Sequence, residues 1–342
     1  MRWSTTRTTG SALRLWVALA ACCAGCSRES AAGTRTAPRA APVAAAVAAG
    51  PSPRCKAWGP ATTSGVVTDP SLIELSGIAA SRDHPGILWV HNDNGNKPRI
   101  YAIDSTGKRI ASYKPKQVPN DDWEDIALGP CSQEPILAGA TCLYIADTGD
   151  NELNRTAYHI LRFAEPKPPA AAQLNNTGID TKSVEIYTFT WPDGPEDCEA
   201  MAVLPDTRVL LFSKRNDGMS KVVRLTLAPG GRTQVESLGT LDLREDQHRG
   251  GHPLRVTAAD LAPDGRWLLL RTYGRVLLYD LGRELAGPAE AARDAVKAAI
   301  PERLRSAPEE HGEGIAWDPL GGFWQIAEGP NPTLWHTGCA AR

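Results

Sequence analysis

Five short stretches of this chain can be superimposed, and that repetition limits the folds open to it. They are Glu74-Leu-Ser-Gly-Ile-Ala79, Asp122-Trp-Glu-Asp-Ile-Ala127, Asp197-Cys-Glu-Ala-Met-Ala202, Thr257-Ala-Ala-Asp-Leu-Ala262 and His311-Gly-Glu-Gly-Ile-Ala316. Each starts on a polar residue and ends on an aliphatic residue followed by Ala. The third position reads Ser76, Glu124, Glu199, Ala259, Glu313. A unit that recurs with carboxylates in one register marks a repeat architecture whose equivalent positions can converge on one point.

Each unit continues alike. A turn leads to an apolar run such as Gly86-Ile-Leu-Trp-Val90 or Val209-Leu-Leu-Phe212, then to a polar loop, then to a third run such as Arg99-Ile-Tyr-Ala-Ile-Asp104 or Arg275-Val-Leu-Leu-Tyr-Asp280. Short β-branched or aromatic runs bounded by Gly, Pro, Asp and Asn are strands, too short for helices. Pro263-Asp-Gly265, Ser105-Thr-Gly107 and Pro229-Gly-Gly231 read as hairpin tips. A fourth strand is visible at Arg109–Tyr113, Val184–Phe189 and Thr233–Ser237, with Val296–Ile300 a weaker fourth-unit candidate beside a helical stretch at 289–298. The fifth unit has none before the sequence ends, and Gly65-Val-Val-Thr68 is the spare strand that would complete it. The expectation is an all-β β-propeller of five blades, with six as the alternative, closed by an N-terminal strand.

The sequence has 342 residues. Setting aside about the first 60 leaves about 50–55 residues per blade, a usual propeller repeat. Residues 1–26 read as a lipoprotein signal peptide, with Arg2, Arg7 and Arg14 ahead of an apolar stretch that starts at Leu15. Leu19-Ala-Ala-Cys22 and Cys23-Ala-Gly-Cys26 both match a lipobox; Cys26 is favoured for lipidation and Cys22 is the alternative. Residues 27–60 form an Ala/Pro-rich tether, expected to be disordered, and 61–342 a single propeller domain. Nothing later is long enough to span a membrane.

This predicts an extracytoplasmic, lipid-anchored protein of a bacterial cell envelope, in an oxidising compartment. Cys131 and Cys142 flank a short insertion and are expected to pair; Cys55 and Cys339, at opposite ends of the folded region, are expected to staple first strand to last blade. Cys198 reads as a small buried hydrophobe. The net charge of −2 and the lack of a Lys/Arg run argue against a nucleic-acid partner. A monomer is expected.

In a propeller the first strand of each blade lines the central channel, so Ser76, Glu124, Glu199 and Glu313 should face one axis at one height. Three carboxylates so placed need a cation, because repulsion and desolvation otherwise neutralise them. An all-oxygen donor set suits Ca²⁺. The absence of His and Cys at this register argues against zinc or copper. The loops at 91–95, 147–151, 214–216 and 271–273, with Glu328, should ring these acids. His91, Asp93, Lys214 and Arg271 are the candidate catalytic residues, with Tyr273 beside them, for binding a small anionic ligand or activating water. His248 and His252 have a metal-compatible spacing, but the glycines between them favour a loop.

Glu74-Leu-Ser-Gly-Ile78, His91-Asn-Asp-Asn-Gly95, Tyr101-Ala-Ile-Asp104 and Asp122-Trp-Glu-Asp-Ile126 resemble the bacterial SdiA-regulated (YjiK-type) and phytase-esterase-like propeller proteins, over about 75–340. More distantly, the order Ser76, Glu124, Glu199, blank, Glu313 is similar to the five-bladed calcium-activated nucleotidases of the salivary apyrase type. That resemblance implies one axial Ca²⁺ held by Ser or Glu from each blade. The fourth blade departs from it: Ala259 stands where a Ser is expected, with Asp260 or Thr257 as possible substitutes. Two functions stay open. One is a Ca²⁺-stabilised module binding a ligand or an envelope partner; the other is a metal-dependent hydrolase of phosphate or other esters.

Overall fold

Side chains alternate across a strand, and the run 209–212 uses both faces. Leu210 and Phe212 pack with Leu268 and Leu270 on one side. Val209 and Leu211 pack with Tyr144 and Tyr187 on the other. Such runs are strands buried between two neighbouring sheets, and each buried aliphatic side chain contributes about 1.5–3 kcal/mol. Five clusters of this kind, one between each pair of adjacent sheets, make up the core.

The computed structural model describes residues 55–340, apart from 94, 119, 133–139, 171, 174–177, 229–231 and 245–253. The chain enters on β1 (Ala57–Val66). Blade 1 holds β2 (Leu75–Ala80), β3 (Ile87–Asn92), β4 (Ile100–Asp104) and β5 (Arg109–Lys114). Blade 2 holds β6 (Trp123–Pro130), β7 (Thr141–Asp147) and β8 (Tyr158–Ala164). The short β9 (Ile179–Asp180) crosses back to lie parallel to β5, and β10 (Glu185–Phe189) completes blade 2. Blade 3 is β11 (Cys198–Val203), β12 (Val209–Ser213), β13 (Met219–Thr226) and β14 (Gln234–Asp242).

Blade 4 is β15 (Val256–Leu261), β16 (Trp267–Thr272) and β17 (Arg275–Asp280), then α1 (Gly282–Leu285), α2 (Ala289–Lys297) and β18 (Glu302–Leu304). Blade 5 is β19 (Gly312–Trp317), β20 (Phe323–Ala327) and β21 (Thr333–Ala340), with β1 paired antiparallel to β21 as its outermost strand. Five sheets, each antiparallel through its four blade strands and joined first to last, form a closed five-bladed β-propeller. Closure covers edges that would otherwise recruit other strands.

Two boundaries differ from the sequence expectation. The closing strand begins at Ala57, inside the segment read as tether. Trp58 explains this: its ring lies 6.1 Å from Trp317 and 5.4 Å from Phe323, an apolar anchor in an otherwise Ala/Pro-rich stretch. The stretch 296–300 is not a strand. Ala292 and Val296, four apart on α2, bury one helical face against blade 3. Pro301 then bars further helix, and Glu302–Leu304 pairs with β17 as the fourth strand.

Both expected disulfides are present. Cys55 joins Cys339, with Cα atoms 5.2 Å apart, and Cys131 joins Cys142, at 4.9 Å. They are consistent with an extracytoplasmic setting. Cys198 is free and fully buried. Among the described residues, no helix is long and apolar enough to cross a membrane.

Candidate metal centre

The five inner strands share a defect in their pairing with the second strand. The register skips between Trp123 and Asp125, between Cys198 and Ala200, and between Gly312 and Gly314, so Glu124, Glu199 and Glu313 are bulged residues. In blade 1 the skip spans Ser76 and Gly77. In blade 4 it falls between Val256 and Ala258, at Thr257. A bulge leaves its residue unpaired and re-aims the side chain.

The ring is therefore Ser76, Glu124, Glu199, Thr257, Glu313. The fourth unit aligned from sequence was two residues out of register, and Ala259 is not its third position. The correct unit is Arg255-Val-Thr-Ala-Ala-Asp260. Like Ser76, Thr257 bonds to the inner strand of the next blade: Ser76 Oγ donates to the Glu124 carbonyl at 2.6 Å, and Thr257 Oγ1 to the Gly312 carbonyl, one position earlier in its unit, at 2.7 Å. Asp260, considered as a further ligand, sits three residues beyond the ring. Its carboxylate accepts the Trp317 N–H at 2.8 Å, which ties blade 4 to blade 5.

The ring acids are almost wholly buried: Glu124 is 3% exposed, Glu199 3% and Glu313 6%. Two acids at the first position of their units join them, Asp122 and Asp197. Carboxylate oxygens of Asp93, Asp122 and Glu124 lie within 4.8 Å of one another, as do those of Glu124, Asp197 and Glu199. Burial, then repulsion from Glu199, Asp93 and Asp122, holds the Glu124 carboxyl well above the usual range. Burial also raises Glu199, with Lys214 opposing and Glu313 and Asp197 adding to the shift. Glu313 is pushed up to about 8, chiefly by burial. Glu199 Oε2 is buried and has no hydrogen-bond partner among the described residues. Gly149 closes over this cluster, where a Cβ would overlap the Glu124 and Asp122 carboxylates.

The four candidate catalytic residues divide two and two. Lys214 reaches the ring. Its ammonium pairs with Glu199 and lies 5.4 Å from the Tyr273 ring centre. Burial disfavours that charge, but Glu199 and Glu313 outweigh it, so the Lys214 pKa is raised. Asp93 also reaches the ring. His91 and Arg271 sit between blades: each is fully buried and occupies the same position of its blade, one residue before the end of the second strand, with the Arg271 charge opposing the upward shift of Glu313. His91 wedges against the next blade, its ring 5.8 Å from that of Trp123. Its Nδ1 lies 3.0 Å from the Asn92 carbonyl, and burial lowers its pKa to about 4. Arg271 Nη1 donates to the Gly314 and Ile326 carbonyls at 2.6 and 3.0 Å, and Nη2 pairs with Glu309. Both residues join blades and are not on the open face.

Below the ring the fourth position reads Gly77, Asp125, Ala200, Ala258, Gly314. The small residues leave room for one carboxylate. Asp125 accepts N–H groups from Ile126 at 2.9 Å, Met201 at 2.8 Å and Ala259 at 3.2 Å, so one side chain joins blades 2, 3 and 4. Above the ring a cleft of about 540 Å³ opens beside Lys214, lined by Asp197, Arg215, Asn216 and Arg255 among others. Sequence reading missed Asp122, Asp197 and Asp125 as site residues, and offered Thr257 only as a possible substitute for Ala259. Acids at the first and fourth positions of the same repeats were the available signal. His248 and His252 lie outside the described residues.

The donor set fits a hard cation. It offers carboxylates and hydroxyls and, at the ring, no imidazole or thiol. The Cys198 Sγ turns away, toward the Phe212 carbonyl at 3.3 Å. Ca²⁺ takes six to eight oxygens, which this ring and its adjoining aspartates can furnish.

No protein-family model matches the chain, and no curated protein does. Among solved structures it is similar to the PQQ-bound form of aldose sugar dehydrogenase from Streptomyces coelicolor, at 15% identity and TM-score 0.41. That match covers 83% of this chain and 99% of the other. It is also similar to a glucose dehydrogenase, at 11% identity and TM-score 0.41, covering 82% of this chain and all of the other. Such distant likeness bears neither on blade number nor on chemistry, which rest on strand pairing and side chains.

Proposed function

We propose that this chain is a calcium-binding propeller. Ser76, Glu124, Glu199, Thr257 and Glu313 would hold the ion on the axis, with Asp93, Asp122 and Asp197 in reach. The cleft beside Lys214 would receive a small anionic ligand or an acidic group of an envelope partner. The observation that carries the reading is the buried ring of three glutamates flanked by two hydroxyls, with Glu199 Oε2 unpartnered. The corrected fourth position adds support. Thr257 supplies the hydroxyl that the resemblance to calcium-activated nucleotidases calls for and that Ala259 lacked.

A ligand that binds only the folded state stabilises it by about 2.7 kcal/mol at a hundred times its Kd. Calcium should therefore raise the melting temperature, EDTA should reverse the rise, and Glu199→Gln should abolish most of it. A wild-type protein that melts alike in calcium and EDTA, and shows no heat of binding, would sink the reading.

A second reading, metal-dependent ester hydrolysis, is favoured by Lys214 and Asp93 at the ring and by Arg255 beside the cleft. Bound calcium would polarise a phosphoryl oxygen or an attacking water. Lys214 would hold the anion, and Asp93 would orient the water or take up its proton. Turnover of nucleoside diphosphates or aryl phosphates, lost in Lys214→Ala with calcium still bound, would establish it. Binding without turnover would leave the module.

The same proposal places the protein outside the cytoplasm on a lipid anchor at Cys26 or Cys22, both outside the described residues. Mass analysis of the mature N-terminus decides between them.

A further inference from the structure

The hairpin of β4 and β5 carries a second concentration of charge, away from the axis. Arg99 precedes β4, and Tyr101 lies two residues on, so the two share a face. Tyr101 pairs with Ser112 across the hairpin. Simple alternation from Ser112 would turn Arg109 to the opposite face. The register skips between Ala102 and Ile103, however, so Ile110 is passed over and Arg109 pairs with Ile103. The bulge thereby brings Arg109 onto the face of Arg99, Tyr101 and Ser112.

These groups, with Lys97 from the preceding loop, line a cleft of about 370 Å³. Its lining holds three cations and no carboxylate. Two acids adjoin it: Asp69, behind Arg109, with its Oδ2 3.0 Å from Nε, and the exposed Glu74, whose Oε2 accepts from Nδ2 of the lining Asn96 at 2.7 Å. Arg109 is 7% exposed and also donates to Ser71 Oγ at 3.4 Å. The Arg99 Nη1 is buried with no hydrogen-bond partner among the described residues. Both guanidiniums act on the Tyr101 hydroxyl, as does Asp69. Like charges gathered in a partly desolvated cleft cost free energy unless an anion offsets them. Arg side chains favour anions that present several oxygens to the planar fork.

We propose that this cleft is an anion site for a phosphate-class dianion, held by Lys97, Arg99 and Arg109, with Ser112 and the Tyr101 hydroxyl as neutral donors. It is independent of the axial cation. The test is calorimetric titration of the full chain with inorganic phosphate at low ionic strength. EDTA is present, so that no divalent ion can hold phosphate at the axis. Vesicles containing phosphatidic acid form a second arm, asking whether the phosphate belongs to a lipid.

Wild type is expected to bind phosphate. The double variant Lys97→Ala/Arg99→Ala, with an unchanged melting temperature, is expected to bind at least about tenfold more weakly. Lys116→Ala, which removes a nearby exposed charge paired with Asp180, should bind as wild type does. Vesicle binding that is lost in the same double variant would also support the site and name a lipid source. No binding of either probe by wild type would overturn the proposal. So would retention of binding in the double variant, or an equal loss in Lys116→Ala.

Discussion

Glu313 and His91 bring opposite pH dependences to the metal-free protein. The Glu313 carboxyl is raised to about 8 in the folded state. The native protein thus binds more protons than the unfolded chain between about 4.5 and 8, and stability falls as pH rises through that window. Glu124 and Glu199 shift in the same direction. His91 is lowered to about 4. Its contribution is therefore present above the ordinary histidine range and is lost as pH falls toward 4. In EDTA the melting temperature should be greatest in mildly acidic solution and decline toward pH 8, and calcium should remove most of the alkaline decline. A metal-free protein as stable at pH 8 as at pH 6 would contradict the placement of these acids. Lys214, paired with Glu199, supplies one positive charge toward a ring of several carboxylates, so it reduces the decline without cancelling it.

The inner strands meet through Asp125 as much as through apolar packing. Its carboxylate takes N–H donors from β6, β11 and β15. Asp125→Ala would leave three buried donors without an acceptor, at about 1–3 kcal/mol each before relaxation. A loss of at least about 3 kcal/mol in denaturant unfolding is expected. Asp125→Asn, which keeps one acceptor oxygen, should lose less. Equal stability of the alanine variant and wild type would show that these contacts do not matter in solution.

The strands were legible in the sequence because their apolar runs and turn residues repeat, and Glu124, Glu199 and Glu313 were legible because they recur at one register. The fourth unit was not. Leu261-Ala262 imitates the aliphatic-Ala ending that Ala259-Asp260 lacks, and only hydrogen-bond pairing shows that Thr257 occupies the bulge. His91 and Arg271 misled for another reason. They lie next to loop residues, but their side chains turn into the blade interface, and no composition signal marks that turn. The helical stretch read at 289–298 is α2 (Ala289–Lys297), whereas the strand reading of 296–300 failed because Val296 belongs to the buried helical face and the fourth strand starts only after Pro301.

Across the whole molecule, closure depends on β1 and β21 and on the Cys55–Cys339 bond, which spans 284 residues. Native disulfides typically contribute about 2–4 kcal/mol. Removing this one by Cys55→Ser/Cys339→Ser should cost an amount of that order. It should raise hydrogen exchange first in β1 and β21, whereas removing Cys131–Cys142, which closes only a local insertion, should leave both strands protected. Exchange rising evenly over all five blades would instead mean that the ends do not open as a unit.

The same closure sets an order of events. Glu313 is carried by the last blade and its ring neighbour Ser76 by the first, and blade 5 lacks its outer strand until β1 joins it. A chain emerging N-terminus first therefore has no complete ring while it is being made. The five oxygen-bearing positions come together only after the final strand has found the first, so the axial site takes shape last, in whatever ionic surroundings the finished chain has reached.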